Sequence, residues 1–191
     1  MARKIKEKKD TIATFIKKHY LYFMMYAVFG WLYEVFLEVV IYRWGYSDRG
    51  VLTGPYCPVY GVGALLFIFI VRPLIKNKPL KKQILMIPIV FLLCGLVATG
   101  VELIASYLCE LFIGSWPWQT YVDYKINFQG RIALSPSLRF GLGGLLFLYI
   151  LQPLFEKLLG KLKEKHLNIL FYIILIIFII DFIFFIIKGL I

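Results

Sequence analysis

Apolar residues occur in long runs along the chain, and short segments rich in basic residues or in Gly and Pro separate these runs. Five runs are long enough to cross a membrane as helices, since a span needs about 20 predominantly apolar residues. The pattern therefore predicts an all-α membrane protein, a polytopic bundle of about five transmembrane helices. The predicted spans are Tyr20–Tyr42, Val59–Ile75, Ile84–Ile113, Phe140–Phe155 and Asn168–Ile187.

Composition and charge support a membrane protein. The 191 residues are 61% hydrophobic with a mean hydropathy of +0.79, whereas soluble domains are roughly 45–50% apolar. The net charge is +11, and 16 of the 22 Lys and Arg residues lie in the segments 1–18, 72–82 and 157–165. Basic segments between apolar runs follow the positive-inside pattern of membrane proteins, so we interpret the charge as a sign of topology and not of nucleic-acid binding. This pattern predicts a cytoplasmic N-terminus, a retained first span and an external C-terminus.

Two stretches of the sequence resemble each other at an offset of 80 residues. Residues 47–74 and 127–154 are identical at nine of 28 positions without a gap, including pairs of glycines and a Pro-Leu pair at the end. Glycine and proline mark backbone requirements more than general hydrophobicity. We interpret the match as an internal parallel two-helix repeat, with chance similarity as the alternative. The single membrane domain 1–191 would then comprise unit one at about 20–75, unit two at about 84–155 and an extra helix at 168–187.

The predicted outer connections, 43–58 and 114–139, are rich in Gly, Pro and aromatic residues and poor in charge. Aromatic side chains suit the headgroup zone of a membrane. Irregular backbone within a membrane is tolerated where protein buries it or where it lines a cavity. These loops are therefore expected either to lie flat at the interface or to re-enter the bilayer. Gly54-Pro55 and Ser135-Pro136 are expected to break helices.

Acidic side chains lie inside the predicted spans. At 1.5 Å per residue from the cytoplasmic end, Glu34 is about 21 Å deep, Glu102 about 27 Å and Asp181 about 20 Å. A charge at the centre of a membrane costs on the order of 2.5–3.5 kcal/mol, so these acids should face the bundle interior and have partners there. The cations expected on that side are Arg49, Arg131 and Arg139.

The acids allow two interpretations, which the sequence leaves open. In one, Glu34 and Glu102 form structural ion pairs with Arg49 and Arg131, and chain proximity suggests Arg131 with Glu102. In the other, the acids line a polar cavity for an ion, a proton or a polar head group, because an ionisable residue inside a membrane indicates a functional site.

Common catalytic and nucleotide-binding motifs are missing from the sequence. It contains no GxxxxGK[ST], HExxH, GxSxG or CxxC pattern. This favours a protein without catalytic residues and without a cofactor. An enzyme that uses a metal ion bound by Glu34, Glu102 and Asp181 stays conceivable, so the metal content is left undetermined.

Several motifs resemble one known family. They are "FGWLYE" at 29–34, "DRGVLTGPYCPVYGVG" at 48–63, the Glu102 region and "NFQGRIALSPSLRFG" at 127–141. Over roughly residues 23–155 the chain resembles the family described as "Putative ABC-transporter type IV", whose members are often labelled transporter permeases. The resemblance implies a bacterial inner-membrane protein of several spans, and its motifs add Tyr60 and Asn127 to the candidate site.

We therefore expect a multi-pass, permease-like transport protein of the bacterial inner membrane with a polar site in the outer half. A lipid-handling protein that binds a head group, or a non-catalytic accessory subunit, is the alternative. Expected partners are membrane lipids, a separate ATPase subunit and a second copy of the chain, and no nucleic acid. The candidate binding residues are Glu34, Arg49, Tyr60, Glu102, Asn127, Arg131 and Asp181.

The predicted topology can be tested by cysteine labelling in intact cells. A membrane-impermeant thiol reagent should label a cysteine introduced at Ser47 or Gln119, because both positions lie in predicted external loops. The same reagent should not label a cysteine at Asn77, in a predicted cytoplasmic loop, until the cells are opened. Labelling of the Asn77 variant in intact cells would contradict the five-span topology.

Overall fold

The computed structural model describes residues 11–47 and 50–190, which form a helical bundle. The connection between the fourth and fifth helices carries a 3-10 turn, Gln119–Asp123, and a short antiparallel hairpin of β1 Asn127–Phe128 and β2 Ile132–Ala133. The helices are α1 Ile12–Ile41, α2 Pro58–Leu74, α3 Leu80–Leu85, α4 Ile87–Ile113, α5 Leu134–Gly160 and α6 Glu164–Leu190.

The prediction of an all-α membrane bundle is confirmed. Four helices, α1, α4, α5 and α6, are long and apolar enough to cross a membrane. The remaining predicted span, Val59–Ile75, corresponds to α2, a shorter apolar helix of 17 residues, near the lower limit of about 17 for a span. We call the end of the bundle with connections 42–57 and 114–133 the loop end. The opposite end, with residues 75–79 and 161–163, is the lysine end.

Helix α1 begins at Ile12, before the predicted start at Tyr20. The Thr11 hydroxyl caps the helix by accepting a hydrogen bond from the backbone N–H of Thr14 at 3.3 Å. The added turns include Lys17, whose ammonium donates a hydrogen bond to Asn168 Oδ1 of α6 at 2.8 Å. Lysine stems can cover apolar surface while their charged ends reach polar partners. A hydropathy pattern ends a span at such lysines, although the helix continues through them.

Helix α5 also begins earlier than predicted, at Leu134 instead of Phe140. The expectation that Ser135-Pro136 breaks a helix is wrong, because both residues lie in the first turn of α5. Proline is tolerated there, since its missing N–H would have no acceptor within the helix and its fixed φ suits a helix start.

Glycines bring the helices of each pair, α1 with α2 and α4 with α5, into close contact. A Cβ added to Gly61 of α2 would lie 2.6 Å from the carbonyl oxygen of Phe23 in α1. A Cβ added to Gly141 of α5 would lie 2.9 Å from the carbonyl oxygen of Phe91 in α4. The two contacts are alike, and the two glycines are among the pairs that match in sequence.

Helices α2 and α5 meet through residues that are 80 positions apart. The rings of Tyr60 and Phe140 have centroids 6.4 Å apart, and those of Phe67 and Phe147 are 5.6 Å apart. Because both contacts join matching positions in the same order, the two helices run parallel. Each helix also contains one π-helical turn, Phe67–Val71 in α2 and Phe147–Leu151 in α5.

A buried polar cluster lies at the lysine end, directly after the two π-helical turns. Arg72 is 6% exposed and forms an ion pair of 2.5 Å with Glu156 of α5. The amide of Gln152 donates to the other carboxylate oxygen of Glu156 at 3.3 Å and accepts a hydrogen bond from the Tyr26 hydroxyl at 2.9 Å. Lys76 Nζ is also near Glu156, at 3.7 Å. These contacts connect α1, α2 and α5, and no motif in the sequence indicated them.

Helix α6 packs on α1 through aromatic rings. The centroids of Tyr20 and Phe171 are 5.3 Å apart, and those of Phe23 and Phe178 are 6.2 Å apart. Most of the large apolar side chains of α6 are exposed in the isolated chain. Apolar surface on this scale is appropriate for contact with lipid tails.

The glycine contacts predict which positions tolerate a methyl group. Gly61→Ala and Gly141→Ala should lower the free energy of unfolding by about 1–3 kcal/mol, because the added carbon overlaps a neighbouring helix. At Gly63 and Gly143 an added Cβ meets nothing within 4 Å. The alanine variants there should be neutral, or more stable by up to about 1 kcal/mol through helix propensity. Thermal unfolding in detergent measures all four, and equal effects at all positions would contradict the packing described.

Candidate functional site

Glu102 is buried in α4 and lacks one hydrogen bond. Glu102 is 7% exposed. The Tyr121 hydroxyl, from the 3-10 turn, donates a hydrogen bond to Oε1 at 2.8 Å. Oε2 has no hydrogen-bond partner. Among the described residues it is the one buried carboxylate oxygen without such a partner. A buried polar atom without a partner is costly and calls for an explanation.

Glu34 of α1 belongs to the same cluster. The Tyr60 hydroxyl of α2 donates a hydrogen bond to Glu34 Oε1. Tyr60 reaches this position because its ring packs directly on Gly30, where a Cβ would lie 2.2 Å from the ring. Burial raises the pKa of Tyr121, and the carboxylates of Glu102 and Glu34 raise it further. Both carboxylates are therefore close enough to act on the same phenol.

Arg139 of α5 contributes a positive charge to the cluster. Its guanidinium donates to the Tyr42 hydroxyl at 2.7 Å and to the Tyr124 hydroxyl at 2.8 Å. The charge of Arg139 acts on Tyr121, where it opposes the effect of the carboxylates. Sequence reasoning named Arg139 as a cation but left it out of the candidate site. An arginine within an apolar helix was the available signal, and the span boundary drawn at Phe140 excluded it.

Arg131 forms a separate cluster, and the expectation that it pairs with Glu102 is wrong. Its guanidinium forms an ion pair with Glu110 and lies 3.4 Å from the Ser106 hydroxyl. The rings of Tyr107 and Trp116 pack on the guanidinium, and the centroid of each ring is 4.1 Å from the guanidinium carbon. Glu110 is two helical turns beyond Glu102 on the same side of α4. Chain proximity could not distinguish these two acids, since both face the same connection.

Asp181 contacts the connection between α1 and α2, residues 42–57, and lies apart from Glu34 and Glu102. Its carboxylate accepts hydrogen bonds from the backbone N–H groups of Thr53 and Gly54, at 3.2 and 3.0 Å, and from the Tyr56 hydroxyl. Burial raises the pKa of Tyr56, and the hydrogen bond to Asp181 raises it further. The carboxylate thus anchors an irregular segment to α6, which is a structural contact.

The remaining candidates are Asn127, which lies in the second connection, and Arg49. The Asn127 side chain accepts a hydrogen bond from Gly130 N at 2.9 Å and donates one to Tyr124 O at 2.7 Å, so it is engaged within the loop. Arg49 lies outside the described residues. In the first connection, Ser47 donates to Glu38 through its N–H at 3.1 Å and its hydroxyl at 2.7 Å. Glu38 lies one helical turn from Glu34, towards the loop end.

A cavity of about 390 Å³ opens at the loop end, within the range of roughly 300–1,000 Å³ of ligand pockets. It combines two hydroxyl groups with apolar side chains. Within residues 11–47 and 50–190, no group of three His, Cys, Asp or Glu side chains is arranged to hold a metal ion. The cavity is lined by Ser47, Gly50, Val51, Ile113, Ser115, Pro117 and Phe185.

Comparison with known proteins gives one match. The family model described as "Putative ABC-transporter type IV" matches residues 21–186, which is most of the chain. No curated protein and no solved structure matches the chain. The match extends beyond the motif region to include nearly all of α6.

The separate cluster of Arg131 predicts a specific energetic coupling. In a double-mutant cycle, Arg131→Ala and Glu110→Gln should be coupled by about 0.5–3 kcal/mol, as is usual for residues in contact. Arg131→Ala and Glu102→Gln should be nearly additive, since their side chains have different partners. Thermal unfolding of the single and double variants measures both cycles. Coupling of Arg131 to Glu102 alone would contradict the pairing seen here.

Proposed function

We propose that this chain, which belongs to the "Putative ABC-transporter type IV" family, is a permease-like transport protein with a binding site at Glu34 and Glu102. Family membership and four helices of membrane-spanning length fit a multi-pass membrane protein related to transport. The observation that carries the site is the buried Glu102 carboxylate, whose Oε2 has no partner among the described residues. We propose that a polar group of the transported solute supplies this partner.

Comparison with two partly buried acids of the bundle supports a binding role for Glu102. The Asp181 carboxylate accepts three hydrogen bonds. Both Glu156 oxygens are bonded, one to Arg72 and the other to Gln152. Those two acids have the complete sets of partners expected of structural groups. Glu102 has one donor, Tyr121, and is therefore the acid that ligand binding would best satisfy.

The site is proposed to lie between two repeat units, α1–α2 and α4–α5. Three features support this arrangement. They are the similar glycine contacts in the two units, the matching π-helical turns, and the contacts between matching residues of α2 and α5. Glu34 and Glu102 also occupy matching positions. Glu34 lies 11 residues after Phe23, which contacts Gly61, and Glu102 lies 11 residues after Phe91, which contacts Gly141. The units would be related by an axis along the membrane normal, within one membrane domain.

The orientation and partners follow from charge and from the family. We propose the bacterial inner membrane, with the N-terminus and the lysine end in the cytoplasm and the loop end outside, because basic loops remain inside. The sequence has no nucleotide-binding P-loop, so ATP-driven transport would need a separate ATPase subunit, as the family name suggests. Membrane lipids and a second copy of the chain are further proposed partners.

The loop-end cavity favours lipid handling as a second candidate function. Its hydroxyl groups, Ser47 and Ser115, lie beside the apolar side chains of Ile113 and Phe185. This mixture suits a lipid head group with the first part of its acyl chains. The Trp116 ring on the buried Arg131 places an aromatic side chain and a cation near the same end, as is common where proteins meet head groups.

A ligand panel with variants tests the site. The purified protein, Glu102→Gln and the control Asp123→Asn are unfolded thermally with ammonium compounds, amino acids, phosphocholine and glycerol phosphate. Asp123 is an exposed acid two residues from Tyr121, so the control removes a nearby charge without changing the site. At least one compound should stabilise the wild type and the control but not Glu102→Gln, by about 2.7 kcal/mol at 100 times its Kd.

Other results would identify the alternatives. Without ligand, Glu102→Gln should be as stable as the wild type or more stable, because functional groups often reduce stability. Strong destabilisation of Glu102→Gln, together with no stabilising compound, would indicate a structural acid in an accessory subunit. Phospholipid that copurifies with the wild type and is lost from Glu102→Gln would favour lipid handling.

A further inference from the structure

The starting observation is the incomplete hydrogen bonding of Glu102 within a membrane-spanning helix. An ionised carboxylate in this environment is costly unless cations or several donors surround it. Tyr121 is its one hydrogen-bond donor among the described residues. No described lysine or arginine lies within 4.0 Å of its carboxylate, because the acids of α4 and α5 that pair with cations are Glu110 and Glu156. The described residues therefore do not supply what usually stabilises a buried negative charge.

The charged and titratable groups around Glu102 come from every helix packed on it. They are Glu34 from α1, Tyr60 from α2, Tyr121 from the 3-10 turn and Arg139 from α5. Glu34 is a second negative charge and disfavours ionisation of Glu102. Arg139 favours it, but its guanidinium donates hydrogen bonds to Tyr42 and Tyr124. Protonation of Glu102 would neutralise its carboxylate, to which none of these neighbours supplies a direct cationic partner.

The same cluster suits an organic cation better than a metal ion. The Glu102 carboxylate, which no described lysine or arginine approaches within 4.0 Å, can accept one added positive charge. The hydroxyls of Tyr60 and Tyr121 donate hydrogen bonds to Glu34 and Glu102. Each of these tyrosines has a second ring beside it, since Tyr33 lies 6.4 Å from Tyr60 and Tyr124 lies 5.7 Å from Tyr121 between ring centroids. Aromatic faces attract ammonium groups. The described residues offer no third acid, histidine or cysteine for a metal site.

We infer that Glu102 carries an exchangeable proton on Oε2 and releases it when an organic ammonium group of the ligand occupies the site. In this exchange the O–H bond of the carboxyl breaks, the electron pair stays on Oε2, and the proton leaves to water. The ammonium charge takes its place beside the carboxylate, so the net charge of the site is the same before and after. This inference deepens the proposed transport function, rests on it, and assigns it a cationic substrate class.

Infrared spectroscopy tests for the proton directly. Films of the detergent-solubilised protein at neutral pH should show the C=O stretch of a protonated carboxyl. The band should be lost in Glu102→Gln and kept in Asp123→Asn. Tyr121→Phe retains the carboxyl and removes its hydrogen bond, so its band should shift to higher frequency. This variant gives a readout if Glu102→Gln does not fold. No such band in the wild type, or a band unaffected by both site variants, overturns the inference.

Proton release tests the exchange. Choline or methylammonium is added to the protein in weakly buffered solution with a pH indicator, and sodium chloride at equal ionic strength is the control. The wild type and Asp123→Asn should release close to one proton per chain at saturation, and Glu102→Gln none. If neither compound releases a proton from the wild type, the inference is wrong. The proposed binding function would survive that result if an uncharged or anionic compound still stabilises the wild type but not Glu102→Gln.

Discussion

Polar groups buried in a lipid-facing bundle must find their partners within the chain, and this constraint shapes the whole structure. Much of the outer surface is apolar, so water is not available to satisfy them along most of each helix. The polar side chains accordingly form clusters near the two ends. Between these clusters lies an apolar core that includes Ala64, Val71 and Leu148. Glu102 departs from the rule by one oxygen atom, which is why we propose a functional role for it.

The apolar runs predicted the number and order of the helices well, because membrane spans depend mainly on local composition. The helix ends were less predictable. Lys17 lies inside α1 and Pro136 inside the first turn of α5, although a hydropathy pattern treats both residue types as boundaries. Whether a lysine or proline ends a helix depends on caps and distant partners, such as Thr11 and Asn168. That information is not contained in the local pattern.

The candidate site was predictable as a set of acids within the spans but not as a set of pairs. The cost of charge in a membrane drew attention to Glu34, Glu102 and Asp181. It could not assign partners, because Glu102 and Glu110 face the same connection and only the folded loop brings Arg131 to Glu110. The Arg72–Glu156 pair was missed for a related reason. Both residues lie at the ends of apolar runs, where charged side chains are expected in contact with water.

The paired π-helical turns have a consequence for the evolution of the chain. A π-helical turn holds one more residue than an α-helical turn, so everything after it is rotated by about 100° relative to a regular helix. Arg72 and Gln152 follow their turns immediately, and both reach Glu156 in that rotated phase. Loss of one residue from the turn of α2 would rotate Arg72 away from Glu156, and loss of one residue from the turn of α5 would rotate Glu156, together with Gln152, away from Arg72. Insertions and deletions in these two short segments should therefore be acceptable only when they occur together, which makes segment length a shared property of the two helices.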